Sequence, residues 1–168
     1  MLVDPGLAYF LDSRDLRYCL IGGVALAAWG HARFTADVDL LTMDARILQP
    51  GFWADAGFPD PEIRVGDASD PLGGVVRLPL DPVHDVILGK GRAAEMALRN
   101  STAREGLPCR LAAPTDLVLL KLEAGGPEDA YDILALLGNP GLEQAVAAEL
   151  PQLSTDARAF WTKIQSLR

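Results

Sequence analysis

Asp37 and Asp39 stand two residues apart inside an apolar run, Asp37-Val38-Asp39-Leu40-Leu41. Successive side chains of a strand point to opposite faces, so these two carboxylates share one face. At ~3.3 Å rise per residue they are about 7 Å apart along the backbone, and side-chain rotation can close that gap. Aspartate is depleted in strands, and like charges side by side repel. A hard divalent cation offsets the repulsion; Mg²⁺ held by one or two carboxylates together with substrate phosphates is a common case. The pair therefore reads as a metal site for phosphate chemistry, or as a frayed strand end with both carboxylates in water. A third carboxylate, Asp85, lies in a second apolar run, Val83 to Leu88, where a charge needs a partner or a metal. His84 faces away from Asp85 and reads as structural. Asp81, just before Pro82, reads as a turn residue.

Upstream, the apolar run Cys19-Leu20-Ile21 stops at Gly22-Gly23, and Val24 to Trp29 follows as a short apolar helix with Gly30 as its stop. A strand that turns into a helix at glycines gathers backbone N–H groups and the positive helix end in one place. Without a Cβ the backbone also admits a phosphate closely. The same pair equally serves a tight left-handed turn, and neither a P-loop nor a GxGxxG pattern accompanies it. Arg33 and Thr35 precede Asp37 by four and two residues, placed to bind phosphate or to hold the loop. Lys121 sits in a helical stretch, Leu117 to Glu123, that is apolar apart from it and the terminal Glu123, so its ammonium either snorkels to water or serves a buried anion. Asp129 and Asp132 share a helix face, although acids also favour a helix's first turn for its dipole.

Taken together, the strand, Gly22-Gly23, the helix and Asp37-Val38-Asp39 resemble the signature of the polymerase-β-like nucleotidyltransferase superfamily. The local form, with Arg33 and Thr35 between the glycines and the aspartates, looks most like small bacterial proteins related to the nucleotidyltransferase toxins of type IV toxin–antitoxin systems. The resemblance implies transfer of a nucleoside monophosphate from an NTP to an acceptor hydroxyl. It implies that Asp37, Asp39 and Asp85 ligate Mg²⁺ or Mn²⁺ and, with Lys121, carry catalysis. Gly22, Gly23, Arg33, Thr35, Lys121 and Asp132 would bind the nucleotide. The toxins also suggest an RNA or tRNA 3′ end as acceptor and an antitoxin protein as partner. In them a basic residue often precedes the first acid of the pair matched by Asp129 and Asp132; here Glu128 stands there. Two alternatives remain within the same fold: an antibiotic-type enzyme acting on a small hydroxyl compound, and a non-catalytic nucleotide-binding module.

The elements that must position these residues follow from pattern. The chain has 168 residues, 49% of them hydrophobic, enough for one domain or one domain with a helical appendage. The expected fold is α/β (α+β in stricter usage): a mixed sheet with flanking helices over 1–112, and a helical segment over 113–168 packed on it. Asp4-Pro5 opens a first helix, and Asp44 to Gln49 forms a short one that Pro50-Gly51 stops. Pro59 and Pro61 mark a turn. Glu62 to Val65, Val75 to Leu80, Pro82 to Leu88 and Leu107 to Leu111 read as strands. Arg92 to Asn100 reads as a helix. Pro114 begins another, with Thr115 or Asp116 able to cap it, and helices near 142–150 and 154–166 close the chain. Cys19 and Cys109 read as buried, reduced thiols. No apolar run is long enough to cross a membrane, and no basic n-region opens the chain, so a cytoplasmic location is expected. The net charge of −8 argues against broad nucleic-acid binding. A local grip on RNA would fall to Arg33, Lys90, Arg92, Arg99, Arg104 and Arg110.

Overall fold

The computed structural model describes residues 2–58, 61–68 and 70–168. Along the chain come α1 (Pro5–Ser13), β1 (Tyr18–Ile21), α2 (Gly22–Ala28), β2 (Asp37–Thr42), a 3₁₀ turn (Ala45–Leu48) and α3 (Pro50–Trp53). β3 (Glu62–Val65), β4 (Gly74–Leu78) and β5 (Val83–Leu88) follow. The rest is helical: α4 (Gly91–Asn100), α5 (Pro114–Ala124), α6 (Pro127–Leu136), α7 (Leu142–Glu149) and α8 (Thr155–Gln165). The fold is α/β (α+β), with a five-stranded sheet ordered β1-β2-β5-β4-β3 and helices packed on it.

The sheet is mixed: only the central β2–β5 pair is parallel, and the other neighbours are antiparallel. Its register lines up one row across all strands: Ile21, Asp39, Asp85, Arg77 and Glu62. On the opposite face Val38, Leu40, Val76, Leu78, Val86 and His84 are fully buried. Alternation along each strand thus separates a polar row from a hydrophobic floor. Under that floor Phe10, Phe52 and Trp53 form an aromatic cluster, with ring centroids 5.0–5.7 Å apart. At the head of α1 the Asp4 carboxylate accepts the Leu7 N–H at 2.8 Å, and Pro5 fills the first helical position.

Beyond the polar row α4 closes onto the sheet. A Cβ on Gly89 would stand 2.7 Å from both Leu41 and Ala94, so glycine there permits the approach. α5 places Leu117, Val118, Leu119 and Leu122 in the same core as the strands. Trp161 and Ile164 of α8 are buried there too, with Phe160 partly buried against the same core.

Several local expectations differ. Pro50 opens a helix instead of stopping one, because the first helical turn needs no N–H from it; the residues before it form only the 3₁₀ turn, capped by Asp44. Leu107 to Leu111 is not a strand: only Leu111 pairs, with Leu20 and Thr102, and Pro108 has no N–H to offer a ladder. β4 ends at Leu78, ahead of Pro79. Ala113 occupies the N-cap of α5, while Asp116 turns inward, 1% exposed, to accept from Asn100 at 3.2 Å. Cys19 is buried, but Cys109 lies half-buried on a loop; both are free thiols. Pro59 of the expected Pro59/Pro61 turn lies outside the described residues.

His84, on the buried face of β5, ties the head of α1 to the turn before β5. Its Nε2 accepts the Asp4 N–H at 3.0 Å, so Nδ1 carries the proton and donates to the Pro82 carbonyl at 2.8 Å. His84→Ala should therefore leave two polar groups unpaired and a void beneath Asp85. The expected cost is about 3 kcal/mol, or roughly 6–12 °C in Tm, checked by scanning calorimetry.

Candidate active site

Strand register decides the geometry. Asp39 and Asp85 are direct partners across the parallel β2–β5 pair, and Asp37 lies two residues from Asp39 on the same face. Asp85 is 7% exposed, and Asp37 and Asp39 are part-buried. Arg77 of β4, the direct partner of Asp85, reaches into this group. Its Nε donates to Asp85 Oδ1 at 2.9 Å and its Nη2 to Oδ2 at 2.7 Å, a two-pronged pair. The same Nη2 reaches Asp37 Oδ2 at 3.3 Å. Arg77 is the residue that sequence reasoning missed. Its signal was the alternation Val76-Arg77-Leu78, which turns the arginine away from the core, followed by a short connection to the strand of Asp85.

Among the described residues Asp39 is the one carboxylate of the three without a salt bridge. Burial pushes its carboxyl up from 3.8 to about 6, and the charges of Asp37 and Asp85 add to the rise; Lys121 and Arg33 act against it.

The glycines serve this crowding directly. Gly22 has φ +65°, and a Cβ there would stand 1.9 Å from Asp39 Oδ2. A Cβ on Gly23 would stand 2.8 Å from the Thr35 Cβ. The start of α2 is thus pressed against Asp39 and Thr35, and both glycines are required by contacts inside the chain. The Thr35 hydroxyl in turn donates to the Asp37 carbonyl at 3.1 Å, holding the loop that leads into β2.

A second charged group adjoins the first. Lys121 Nζ lies 2.6 Å from Asp132 Oδ2 and 3.0 Å from Asp129 Oδ1, and Arg33 Nε lies 2.9 Å from Asp132 Oδ1. Of the two readings of Lys121, the buried anion holds: its side chain is 12% exposed, and its anions are the chain's own carboxylates. Asp129 also accepts the Gly126 N–H at 2.9 Å, the first-turn role open to it from sequence. Glu128 is exposed. Four of the other basic residues are engaged elsewhere. Lys90 donates to the Asp67 carbonyl, Arg92 pairs with Glu95, Arg104 lies over the Trp29 ring, and Arg110 bonds to Ser101. His31 bonds to Asn139.

Two openings flank the carboxylates. An apolar cavity of about 210 Å³ continues along the same sheet face, lined by Ile21, Gly22, Leu41, Ile87, Leu117 and Lys121 among others. A polar groove of about 110 Å³ lies on the other side, between Glu62, Arg64, Val75, Arg77 and Asp85. The three carboxylates offer the all-oxygen donor set that suits Mg²⁺ or Mn²⁺. Among the described residues no three potential ligands are drawn close enough to hold a metal ion, and Arg77 spans two of these carboxylates.

The raised Asp39 carboxyl has a definite consequence for the metal-free protein. It binds its proton more tightly folded than unfolded, so its contribution to stability is greatest below pH 4 and is lost as pH climbs from about 4 to about 6. Asp39→Asn should remove that loss. The variant should match the parent near pH 4 and exceed it at pH 7, by at most ~3 kcal/mol. Urea unfolding across that pH series is the check.

No family model and no curated protein matches this sequence. Its fold does match solved structures. The solution structure of the antibiotic-resistance factor ANT(2″)-Ia superposes with a TM-score of 0.56 at 15% identity, covering 97% of this chain and 91% of that one. The crystal structure of ANT(2″)-Ia in complex with adenylyl-2″-tobramycin gives a TM-score of 0.57 at 14% identity, covering 95% of this chain and 94% of that one. At such identity the likeness is one of fold alone: the chain shares the α/β architecture of ANT(2″)-Ia.

Proposed function

We propose that the protein is a divalent-metal-dependent nucleotidyltransferase that moves a nucleoside monophosphate from an NTP to an acceptor hydroxyl. The observation that carries this reading is the carboxylate row: Asp39 beside Asp85, with Asp37 on the same face, on a fold shared with nucleotidyltransferases. Mg²⁺ or Mn²⁺ held by Asp37, Asp39 and Asp85 would neutralise charge developing on the phosphates and align the reacting oxygens.

The remaining chemistry falls to the chain's own groups. Asp85 accepts the proton of the acceptor hydroxyl. The acceptor oxygen bonds to the α-phosphorus, the bond from that phosphorus to the bridging oxygen breaks, and pyrophosphate leaves with the electron pair. Gly22 and Gly23 present the head of α2 to the phosphates. Lys121 and Arg33 supply positive potential beside Asp39 and, through Asp132, fix the loop entering β2.

For the acceptor, the toxin resemblance favours an RNA 3′ end, with an antitoxin as protein partner. A small hydroxyl compound is the second reading. It is favoured by the net charge of −8 and by the engagement of Arg92 and Arg110 within the chain.

Incubation with each labelled NTP, total RNA and a panel of small polyols should move label to one acceptor. Asp39→Asn should cut transfer at least about 100-fold, equivalent to ~2.7 kcal/mol of barrier, while the variant stays folded. Full transfer by Asp37→Asn/Asp39→Asn would end this reading. An RNA acceptor should bind with a log–log salt slope of about −0.7 per phosphate contact; a small acceptor should respond far less.

A further inference from the structure

We propose that Arg77 is a positioning residue that governs metal entry: its guanidinium holds Asp85 and Asp37 in the metal-free protein and must leave them before they can ligate a divalent cation. This rests on the metal-dependent reading above.

The fork of Arg77 uses both oxygens of Asp85, at 2.9 and 2.7 Å, and reaches Asp37 at 3.3 Å. The Asp85 side chain is only 10% exposed. A carboxylate so buried requires a counter-ion whenever a metal is absent. A guanidinium and a divalent cation on the same oxygens repel each other at short range, so one displaces the other. The binding free energy of the metal therefore includes the cost of moving Arg77.

Strand register gives Arg77 a second place to go. Its direct partner on one side is Asp85 and on the other is Glu62 of β3. Directly opposed side chains on a sheet lie within pairing distance. Glu62 is exposed, and half of the Arg77 side chain is exposed, so the swing leads into the polar groove that Glu62 and Arg64 line. Arg77 thus stands between two carboxylates on adjacent strands. Resting on Asp85 stabilises the metal-free site, and moving to Glu62 vacates it.

The test uses the full chain without nucleotide. Mn²⁺ affinity is read from the electron paramagnetic resonance of free Mn²⁺, and Tm is read in metal-free and Mn²⁺-saturated buffer. Arg77→Gln should lower the metal-free Tm yet tighten Mn²⁺ binding about tenfold, the scale of outer-shell effects on metal affinity. Its Tm should then rise more on Mn²⁺ addition than the parent's. Glu62→Gln, which removes the alternative partner, should weaken Mn²⁺ binding several-fold with little change in metal-free Tm. Arg77→Lys keeps the charge but loses the fork, so it should fall between parent and Arg77→Gln; it serves as the folded variant if Arg77→Gln is unstable. Unchanged or weaker Mn²⁺ binding in both Arg77 variants, with parent binding abolished by Asp39→Asn, would overturn the role of Arg77 alone. Absence of saturable, Asp39-dependent Mn²⁺ binding in every variant would overturn the metal-dependent reading and this proposal with it.

Discussion

Three carboxylates on one face of a sheet repel, and the arrangement that tolerates this governs much of the molecule. The parallel pairing of β2 with β5 sets Asp39 against Asp85, and the two-residue strand period adds Asp37. The three charges are met in two ways. Asp85 and Asp37 share the guanidinium of Arg77. Asp39 has no such partner among the described residues, and burial, with the charges of Asp37 and Asp85, raises its carboxyl. A fold selected for stability alone would place hydrophobic residues along this row, as it does on the opposite face. Clusters of part-buried carboxylates with a perturbed member are a feature that functional sites share with structural ion-pair networks.

The surrounding elements are held in place by charge as well as by apolar packing. Asp132, 6% exposed in its side chain, joins Lys121 of α5 to Arg33 of the loop before β2. Removing either cation would leave a buried carboxylate short of a partner, which is costly. The loop that delivers Asp37 is thus tied to the helical segment more than eighty residues later in the chain. The two glycines complete the closure from the other side, since a side chain at Gly22 would collide with Asp39 itself.

Fold and chemistry rest on different grounds here. The likeness to ANT(2″)-Ia, at 14–15% identity, establishes the architecture. That architecture does not by itself say which reaction a given chain performs. The donor set, the crowding of the carboxylates and the cavities beside them are what favour phosphoryl chemistry. No described helix is long and apolar enough to cross a membrane.

The amino-acid sequence alone determined the features that depend on neighbours along the chain. The strand–glycine–helix–strand order, the shared face of Asp37 and Asp39, the cap at Asp4-Pro5 and the turn of His84 away from Asp85 follow from periodicity and local backbone preference. The cation beside the carboxylates did not, because Arg77 meets Asp85 only through hairpin register and Asp37 only through the order of strands. The family resemblance grouped Arg33, Lys121 and Asp132 in one site, but their pairing with one another was hidden, because only packing brings them within 3 Å. Leu107 to Leu111 failed as a strand for the same reason in reverse, since an apolar run needs a partner that sequence cannot supply. Side-chain direction is a local property of the backbone; the identity of the group it meets is settled by register and packing between segments far apart in the chain.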